Sequence, residues 1–197
     1  MSGKEINATK DGMAVDNSGV GNKSTININK AAKYSSLLNP LLESIVKNYD
    51  PESEIENHGE LPYPDEKIKF NDVNIFSDEI EECVGFLSIV EEQIDIIDDE
   101  EPNSKNKFMR AISQKYKEKK IALLIEKSID SNNPHDVISV IRENADKIIQ
   151  GVSDTILEYA EKDLHSYSVE EVKDSIRLIV CYGFINCKIL ERPSDYQ

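Results

Sequence analysis

Residues 77–101 carry the pattern that most restricts the fold, a stripe of apolar side chains repeating with the period of an α-helix. Successive apolar residues are one, three or four positions apart, so they fall on one face of a helix and not of a strand. Ser77 and the acidic pair Asp78–Glu79 precede the stripe, where a hydroxyl cap and negative charge favour a helix start. A helix with one apolar face must be covered by others, which predicts a helical bundle. The stripe consists of Ile80, Cys83, Val84, Leu87, Val90, Ile94 and Ile97.

Apolar residues at helical spacing predict further helices on both sides of this one. Asn39 and Pro40 are the expected N-cap and first-turn residue of the earlier helix. Ser104 is expected to cap the later one, after a break at residues 101–103. Before the stripe, residues 67–75 alternate apolar and polar side chains, which is compatible with a short extended segment.

The second half of the chain continues with helix signals. Asn133–Pro134 is expected to start a helix that ends near Gly151, followed by a short helix over residues 156–160. Residues 168–171 read Ser-Val-Glu-Glu, a capping box that opens the last and most buried helix, which ends before Pro193. The predicted fold class is all-α, a helical bundle of about five or six helices preceded by a short Gly/Asn-rich N-terminal segment with possible strands.

The first 30 residues differ in composition from the rest of the chain and hold four of its eight glycines. Residues 13–15 and 25–29 have the character of short strands, with a turn-rich segment between them. Two interpretations stay open. The segment is disordered in the monomer, or its strands pair with copies of itself or with a partner. The candidate oligomerisation residues are Val15, Ile26 and Ile28.

Composition divides the chain into three regions. A linker is indicated by Pro51, Pro62 and Pro64, which stand among many acidic residues. The regions are a flexible or strand-forming segment at residues 1–30, a helix with the acidic linker at residues 31–66, and a helical interaction domain at residues 67–197.

The net charge of -15 restricts the partners that the chain can have. A surface this negative repels phosphate backbones and anionic lipids, so we expect no direct nucleic-acid or membrane binding. The sequence shows neither a signal-peptide pattern nor an apolar run of about 18 residues. Three cysteines without disulfide spacing fit reduced thiols, so we expect a cytoplasmic protein that binds other proteins.

Charge is also segregated along the bundle. Residues 78–101 contain eleven acids and no bases, whereas residues 103–127 contain eight bases against Glu118 and Glu126. One interpretation is that these neighbouring helices pack antiparallel with their charges facing each other. The alternative is that the basic helix presents a docking surface.

A search for catalytic and ligand-binding motifs leaves no candidate. Residues 17–25 resemble a phosphate-binding loop, but Asn17 and Asn22 stand where that motif requires glycine, and a strand-like segment follows. The histidines are isolated, and Cys181 and Cys187 are too far apart to share a helix face. The sequence therefore predicts a non-enzyme, with no catalytic residue, metal or cofactor.

Three stretches together resemble the C-terminal helical domain of the bacterial ABC three-component conflict systems, the group that includes Lamassu-type anti-phage defence. The first reads Lys-Ile-Lys-Phe-Asn at residues 67–71, and the second is Pro-Asn-Ser-Lys-Asn-Lys-Phe-Met-Arg-Ala-Ile at residues 102–112. The third, at residues 187–193, reads Cys-Lys-Ile-Leu-Glu-Arg-Pro. The resemblance covers about residues 65–193.

This resemblance implies a non-catalytic adaptor or regulatory component of an anti-phage or anti-plasmid defence complex. Its implied partners are an SMC-like ABC ATPase and a second small subunit. Residues 1–64 are too short and polar for a fused nuclease, so either the effector is a separate chain or this protein only tethers and regulates. An alternative from the charge is an acidic inhibitor or DNA mimic that blocks a nucleic-acid-binding protein. Phe108 is a candidate for either the interface or the core. The candidate interface residues are Asn103, Ser104, Lys105, Lys107, Phe108 and Arg110.

Overall fold

Helices account for the regular structure of the chain. The structure is a computed structural model that describes residues 36–50, 64–160, 163–186 and 188–196, and these ranges contain no strand. The predicted all-α class is confirmed, whereas Val15, Ile26 and Ile28 lie outside the described residues. Two 3-10 turns are present at Val84–Phe86 and Pro193–Tyr196. The α-helices are α1 (Asn39–Asn48), α2 (Asp65–Phe70), α3 (Ser77–Cys83), α4 (Leu87–Glu100), α5 (Ser104–Glu126), α6 (Pro134–Glu143), α7 (Ala145–Ala160) and α8 (Val169–Ile185).

Helix α8 lies at the centre of the core, with α1, α3, α4, α5 and α7 packed against it. Leu178, Ile179 and Phe184 are completely buried, as expected for the most buried helix. The predicted capping box is confirmed: Ser168 Oγ accepts from the Glu171 amide at 3.2 Å, and the Glu171 carboxylate accepts from the Ser168 amide at 2.9 Å. This local signal fixes the start of the central helix.

Five of the seven residues of the apolar stripe are buried and Val84 and Ile97 are half-buried, but the helix that carries the stripe is broken. The 3-10 turn Val84–Phe86 separates α3 from α4, and the stripe continues into the core through both. Ser77 is not the N-cap: Phe76 holds that position, and the Ser77 hydroxyl donates to the Asn74 carbonyl at 2.8 Å. The hydroxyl binds a carbonyl of the preceding turn, so it does not cap the amides ahead.

Two other predicted caps are displaced by one residue. Asn39 is the first residue of α1, with Leu38 at the N-cap position and fully buried. At the start of α5 the N-cap is Asn103, in the left-handed region with φ 76°, and Ser104 instead donates to the Glu101 carbonyl. Asp98 supplies the missing cap, because its carboxylate accepts from the Lys105 amide at 2.9 Å.

The predicted boundary at Gly151 is wrong. Helix α6 ends at Glu143 and α7 continues through Gly151, because a helical glycine there costs stability without ending the helix. The predicted start at Asn133 is correct, since its side chain accepts from the amides of His135 and Asp136.

The extended segment predicted for residues 67–75 is also wrong. Residues 65–70 form α2, and a turn follows in which Asp72 has a φ of 53°. The alternating pattern misled because it spans a short helix and a loop, and Ile75 at its end is 79% exposed.

Candidate docking surface

A C-terminal strap, residues 188–193, follows α8 and is held by two side chains of α2 and the turn after it. Lys67 is buried, and its Nζ donates to the carbonyl oxygens of Phe184 and Ile189 at 2.5 and 2.7 Å. Asn71 is fully buried and exchanges hydrogen bonds with the Glu191 backbone, donating to its carbonyl at 2.9 Å and accepting from its amide at 3.0 Å. Because Lys67 and Asn71 are buried, breaking these hydrogen bonds would leave buried polar groups without partners, so the bonds fix the strap in place.

The Glu191 carboxylate is the centre of a second network on the strap. It accepts hydrogen bonds from the hydroxyls of Tyr116 and Tyr196 and from Lys120 Nζ at 2.6 Å. Burial alone would raise the pKa of Glu191, but the Lys120 and Tyr116 hydrogen bonds and the Lys120 charge bring it below its ordinary value. Burial and the neighbouring carboxylate raise the pKa of Tyr196 to about 12. Glu191 therefore acts as an ionised anchor.

Helices α6 and α7 hold the other side of the α2 region. Arg142 donates to the Phe70 carbonyl at 2.5 Å and stacks over the Phe70 ring at 4.6 Å. The Asp146 carboxylate accepts from the backbone amides of residues 74–76 at 3.1 to 3.3 Å. The first and third stretches of the family resemblance therefore meet at the strap, where the side chains of Lys67, Asn71 and Glu191 bind other parts of the chain.

The charges of α4 and α5 face each other only at the start of α5. Lys105 Nζ lies 3.1 Å from an Asp95 oxygen and 3.5 Å from a Glu91 oxygen. Lys107 Nζ lies 2.5 Å from a Glu101 oxygen. The hydrogen bond to Asp95 raises the pKa of Lys105. The interpretation in which acids and bases neutralise each other applies to these two lysines.

The six predicted interface residues divide into engaged and open positions. Ser104 and Phe108 are buried, at 2% and 3% exposure, so both belong to the fold. Lys105 and Lys107 contact α4 as described. Asn103 is exposed and accepts a hydrogen bond from Asn106, and Arg110 is exposed on α5. Of this cluster, Arg110 is the residue placed to meet another molecule.

A basic groove starts at Arg110 on the outer face of α5. Its cavity volume is about 440 Å³. Arg110, Lys117 and Lys188 form no ion pair with another described residue. Three positive charges therefore line one side of a molecule whose net charge is -15. The lining residues are Asn106, Met109, Arg110, Ser113, Gln114, Lys117 and Lys188.

An apolar groove adjoins the basic groove and shares Lys117 with it. Its cavity volume is about 550 Å³, and it lies between α5, the start of α6 and the 3-10 turn Pro193–Tyr196. Ile121 on its rim is 56% exposed, and Ile125, one turn later, is 73% exposed. Together the two isoleucines extend the apolar surface of the groove along α5. The lining residues are Lys117, Lys120, Ile121, Leu124, Ser131, Pro134, Val137, Glu191, Asp195 and Tyr196.

The basic groove and the apolar groove together form a double groove along α5. Sequence reasoning missed most of it. Arg110, Lys117 and Ile121 are seven and four positions apart, so their common helix face could have been read from the sequence. Lys188 could not, because only the folded strap brings it beside α5.

Side chains that could bind a metal or act as nucleophiles are dispersed or buried among the described residues. No group of three or more His, Cys, Asp or Glu residues among them is arranged to hold a metal ion. His135 is an exposed residue on α6, with 91% of its side chain accessible. Cys83 and Cys181 are buried free thiols, and their hydrogen bond together with burial raises the pKa of Cys181. A thiol held protonated in this way is a poor nucleophile.

Comparisons with known proteins add no relative. No protein-family model matches the sequence, and neither a curated protein nor a solved structure matches it significantly. Among the helices of the described ranges, none has the length and apolar character needed to cross a bilayer.

Proposed function

We propose that the chain is a non-catalytic adaptor of a bacterial anti-phage or anti-plasmid defence complex, acting in the cytoplasm. In this proposal it docks onto an SMC-like ABC ATPase and a second small subunit, while a separate chain carries the effector activity. The observation that carries it is the outer face of α5, where unpaired bases and exposed isoleucines adjoin.

The charge distribution supports a role in docking. Asp95 of α4 contacts Lys105, and Glu101, just after α4, contacts Lys107, so these two lysines contribute little to an external surface. Farther along α5, Arg110 and Lys117 have no such partner within the described ranges. Charges of one sign around a groove, in a protein of the other sign, steer the approach and orientation of a partner.

The structure of the strap supports the link to the ABC three-component group. The resemblance rests on short stretches, and two of them contain the residues that anchor the strap, Lys67, Asn71 and Glu191. The strap forms part of the wall of the apolar groove, so a domain with this groove requires the residues that anchor the strap. They therefore fit a shared fold of the docking domain better than a shared catalytic centre.

The test is affinity purification of the tagged full chain from its native host, with mass measurement of the intact complex. We expect an SMC-like ATPase and a second small subunit with the unmodified chain, and loss of both with Arg110→Glu/Lys117→Glu. The matched control is Lys147→Glu/Lys173→Glu, which makes the same charge change at exposed positions on α7 and α8. Recovery of the chain without these subunits would refute the proposal.

A second candidate function is an acidic inhibitor of a nucleic-acid-binding protein, favoured by one observation. Glu81, Glu92, Asp99 and Glu100 on α3 and α4 are exposed and form no ion pair with a described residue. Such a row of carboxylates can imitate a phosphate backbone. The substitutions Glu81→Gln, Glu92→Gln and Glu100→Gln should release an inhibited partner, and should leave the proposed ATPase complex intact.

A further inference from the structure

We propose that the double groove of α5 binds a short protein segment in which an acidic cluster lies directly beside an apolar cluster. The inference rests on the proposed docking function and names the chemistry of the partner at that surface. The acidic cluster lies against Arg110, Lys117 and Lys188, and the apolar cluster against Ile121, Leu124 and Val137.

The basic groove selects the acidic end of the segment. All of its ionisable lining residues are bases, whereas Glu191 and Asp195 line only the neighbouring groove. Arg110 offers a planar fork that binds a carboxylate with two parallel hydrogen bonds, and the two lysines add point charges. Carboxylates of an incoming segment would provide the ion pairs that these bases lack among the described residues.

The apolar groove selects the other end. Leu124 and Val137 form its floor, at 9% and 5% exposure, and Ile121 stands on the rim at 56%. Of the two acids that line this groove, Glu191 is already paired with Lys120 at 2.6 Å. An aliphatic or aromatic side chain placed here removes Ile121 from water. This burial contributes about 25 cal/mol of favourable binding free energy for each Å² of apolar surface.

The dimensions suit a helical segment of a few turns. Arg110 and Ile121 are eleven residues apart on one helix, which corresponds to about 16 Å at 1.5 Å per residue. A partner helix of about three turns lying along α5 would reach both ends. Nucleic acid would satisfy the bases but would leave the apolar end uncovered and would meet the -15 charge of the whole chain.

A photo-crosslink tests the inference in the native complex. The tagged full chain carries p-benzoylphenylalanine in place of Ile121, or in place of the 51% exposed Val169 as a control outside the groove. After irradiation, mass spectrometry identifies the crosslinked peptide. We expect position 121 to capture a segment with several Asp or Glu residues within two helical turns of apolar ones, and position 169 to capture no such segment.

A titration with a defined probe tests the same inference independently. The probe is a synthetic 16-residue helical peptide with glutamates in one half and leucines in the other, and its scrambled form is the control. Binding to the purified full chain is followed by fluorescence anisotropy. We expect Lys117→Glu and Ile121→Asp each to weaken binding at least about tenfold, as at an interface hot spot. The matched surface changes Lys147→Glu and Val169→Asp should stay within about twofold.

The outcomes separate this inference from the proposed function. Crosslinking at position 121 to a basic segment, to nucleic acid or to a second copy of this chain overturns the inference, even if the ATPase is recovered. Equal binding of the ordered and scrambled peptides overturns it as well. Recovery of no ATPase refutes the proposed function, while the peptide titration still decides the chemistry of the groove.

Discussion

At the scale of single residues, Gly183 sets how closely α8 approaches α5 and the strap. A Cβ atom at this position would lie 2.6 Å from Ile112 Cγ2 and 3.1 Å from Ile189 Cδ1, both in the core. We expect Gly183→Ala to lower the free energy of unfolding by about 2 kcal/mol, because an overpacked core must shift its neighbours. Urea denaturation measures the change.

Gly151 provides the opposite case and serves as the control. A Cβ there meets the flexible side chain of Lys119 at 3.3 Å, and the residue lies inside α7. Because alanine favours a helix interior over glycine, Gly151→Ala should raise stability by about 0.5–1 kcal/mol. A Gly183→Ala variant that gains stability as Gly151→Ala does would contradict the packing assigned to Gly183.

The second residue-scale prediction concerns the buried ammonium of Lys67. Lys67→Met keeps most of the side-chain volume but leaves the carbonyl oxygens of Phe184 and Ile189 without their donor. We expect a loss of about 2–3 kcal/mol by urea denaturation, the cost of unpaired buried polar groups. Lys69→Met, at an exposed position of the same helix, should stay within about 0.5 kcal/mol. Equal losses would show that Lys67 does not anchor the strap.

At the scale of elements, the strap should depend on pH through Glu191. Its pKa in the folded protein is below the ordinary 4.5, so ionisation stabilises the fold above pH 4.5 and that contribution is lost as pH falls through the folded-state pKa. Glu191→Gln should therefore lower the free energy of unfolding by about 1–3 kcal/mol near neutral pH. The difference from the unmodified chain should shrink as the pH falls below 4.5.

Unfolding free energies measured across this pH range test the assignment. The control is Glu118→Gln, at an exposed position on α5 with 60% of the side chain accessible. The unfolding free energy of this variant should differ little from that of the unmodified chain at every pH in the range. A Glu191→Gln deficit that stays constant down to low pH would mean that the hydrogen bonds hold the strap without the charge.

Helix starts could be predicted from the sequence wherever the signal is local. The caps at Asn133 and Ser168 involve residues no more than three positions away, and both are confirmed. The start of α5 could not be read in this way, because its cap comes from Asp98 on the preceding helix. The strap is even harder to predict from the sequence, since Lys67 and its partner Phe184 are 117 positions apart. A lysine in a polar-looking stretch gives no sign that its partners are distant carbonyl groups.

At the candidate docking surface, too, local spacing is readable from the sequence and contacts between helices are not. The spacing of Arg110, Lys117 and Ile121 on α5 is visible in the sequence, but whether each side chain is paired depends on neighbouring helices. The sequence left Phe108 open between interface and core, and the structure places it in the core, while Lys105 lies beside α4. The sequence-based interface cluster therefore stays a prediction, and it overestimated how many of its residues face outward, since Ser104 and Phe108 are buried.

At the scale of the whole molecule, self-repulsion follows from the net charge of -15. Raising NaCl from about 0.05 to 0.5 M should raise the melting temperature by about 3 °C, because salt screens repulsion across the surface. The exposed α4–α5 ion pairs oppose this effect only weakly. Calorimetry checks the shift. Replacing Glu81, Glu92 and Glu100 by glutamine should reduce it, and a melting temperature that falls with salt would show that ion pairs dominate.

The central position of α8 has a consequence for how the protein is made. Five other helices pack on α8, yet the ribosome synthesises it after all of them. Helix α4 also packs on α1, so only the part of α1 that contacts α8 stays uncovered until α8 is made. At 5–20 residues per second that delay is on the order of 10 s. A growing chain therefore leaves apolar surface of α1 open to chaperones during translation, and a ribosome that stalls before residue 169 should release a product without its central helix, which proteases can degrade.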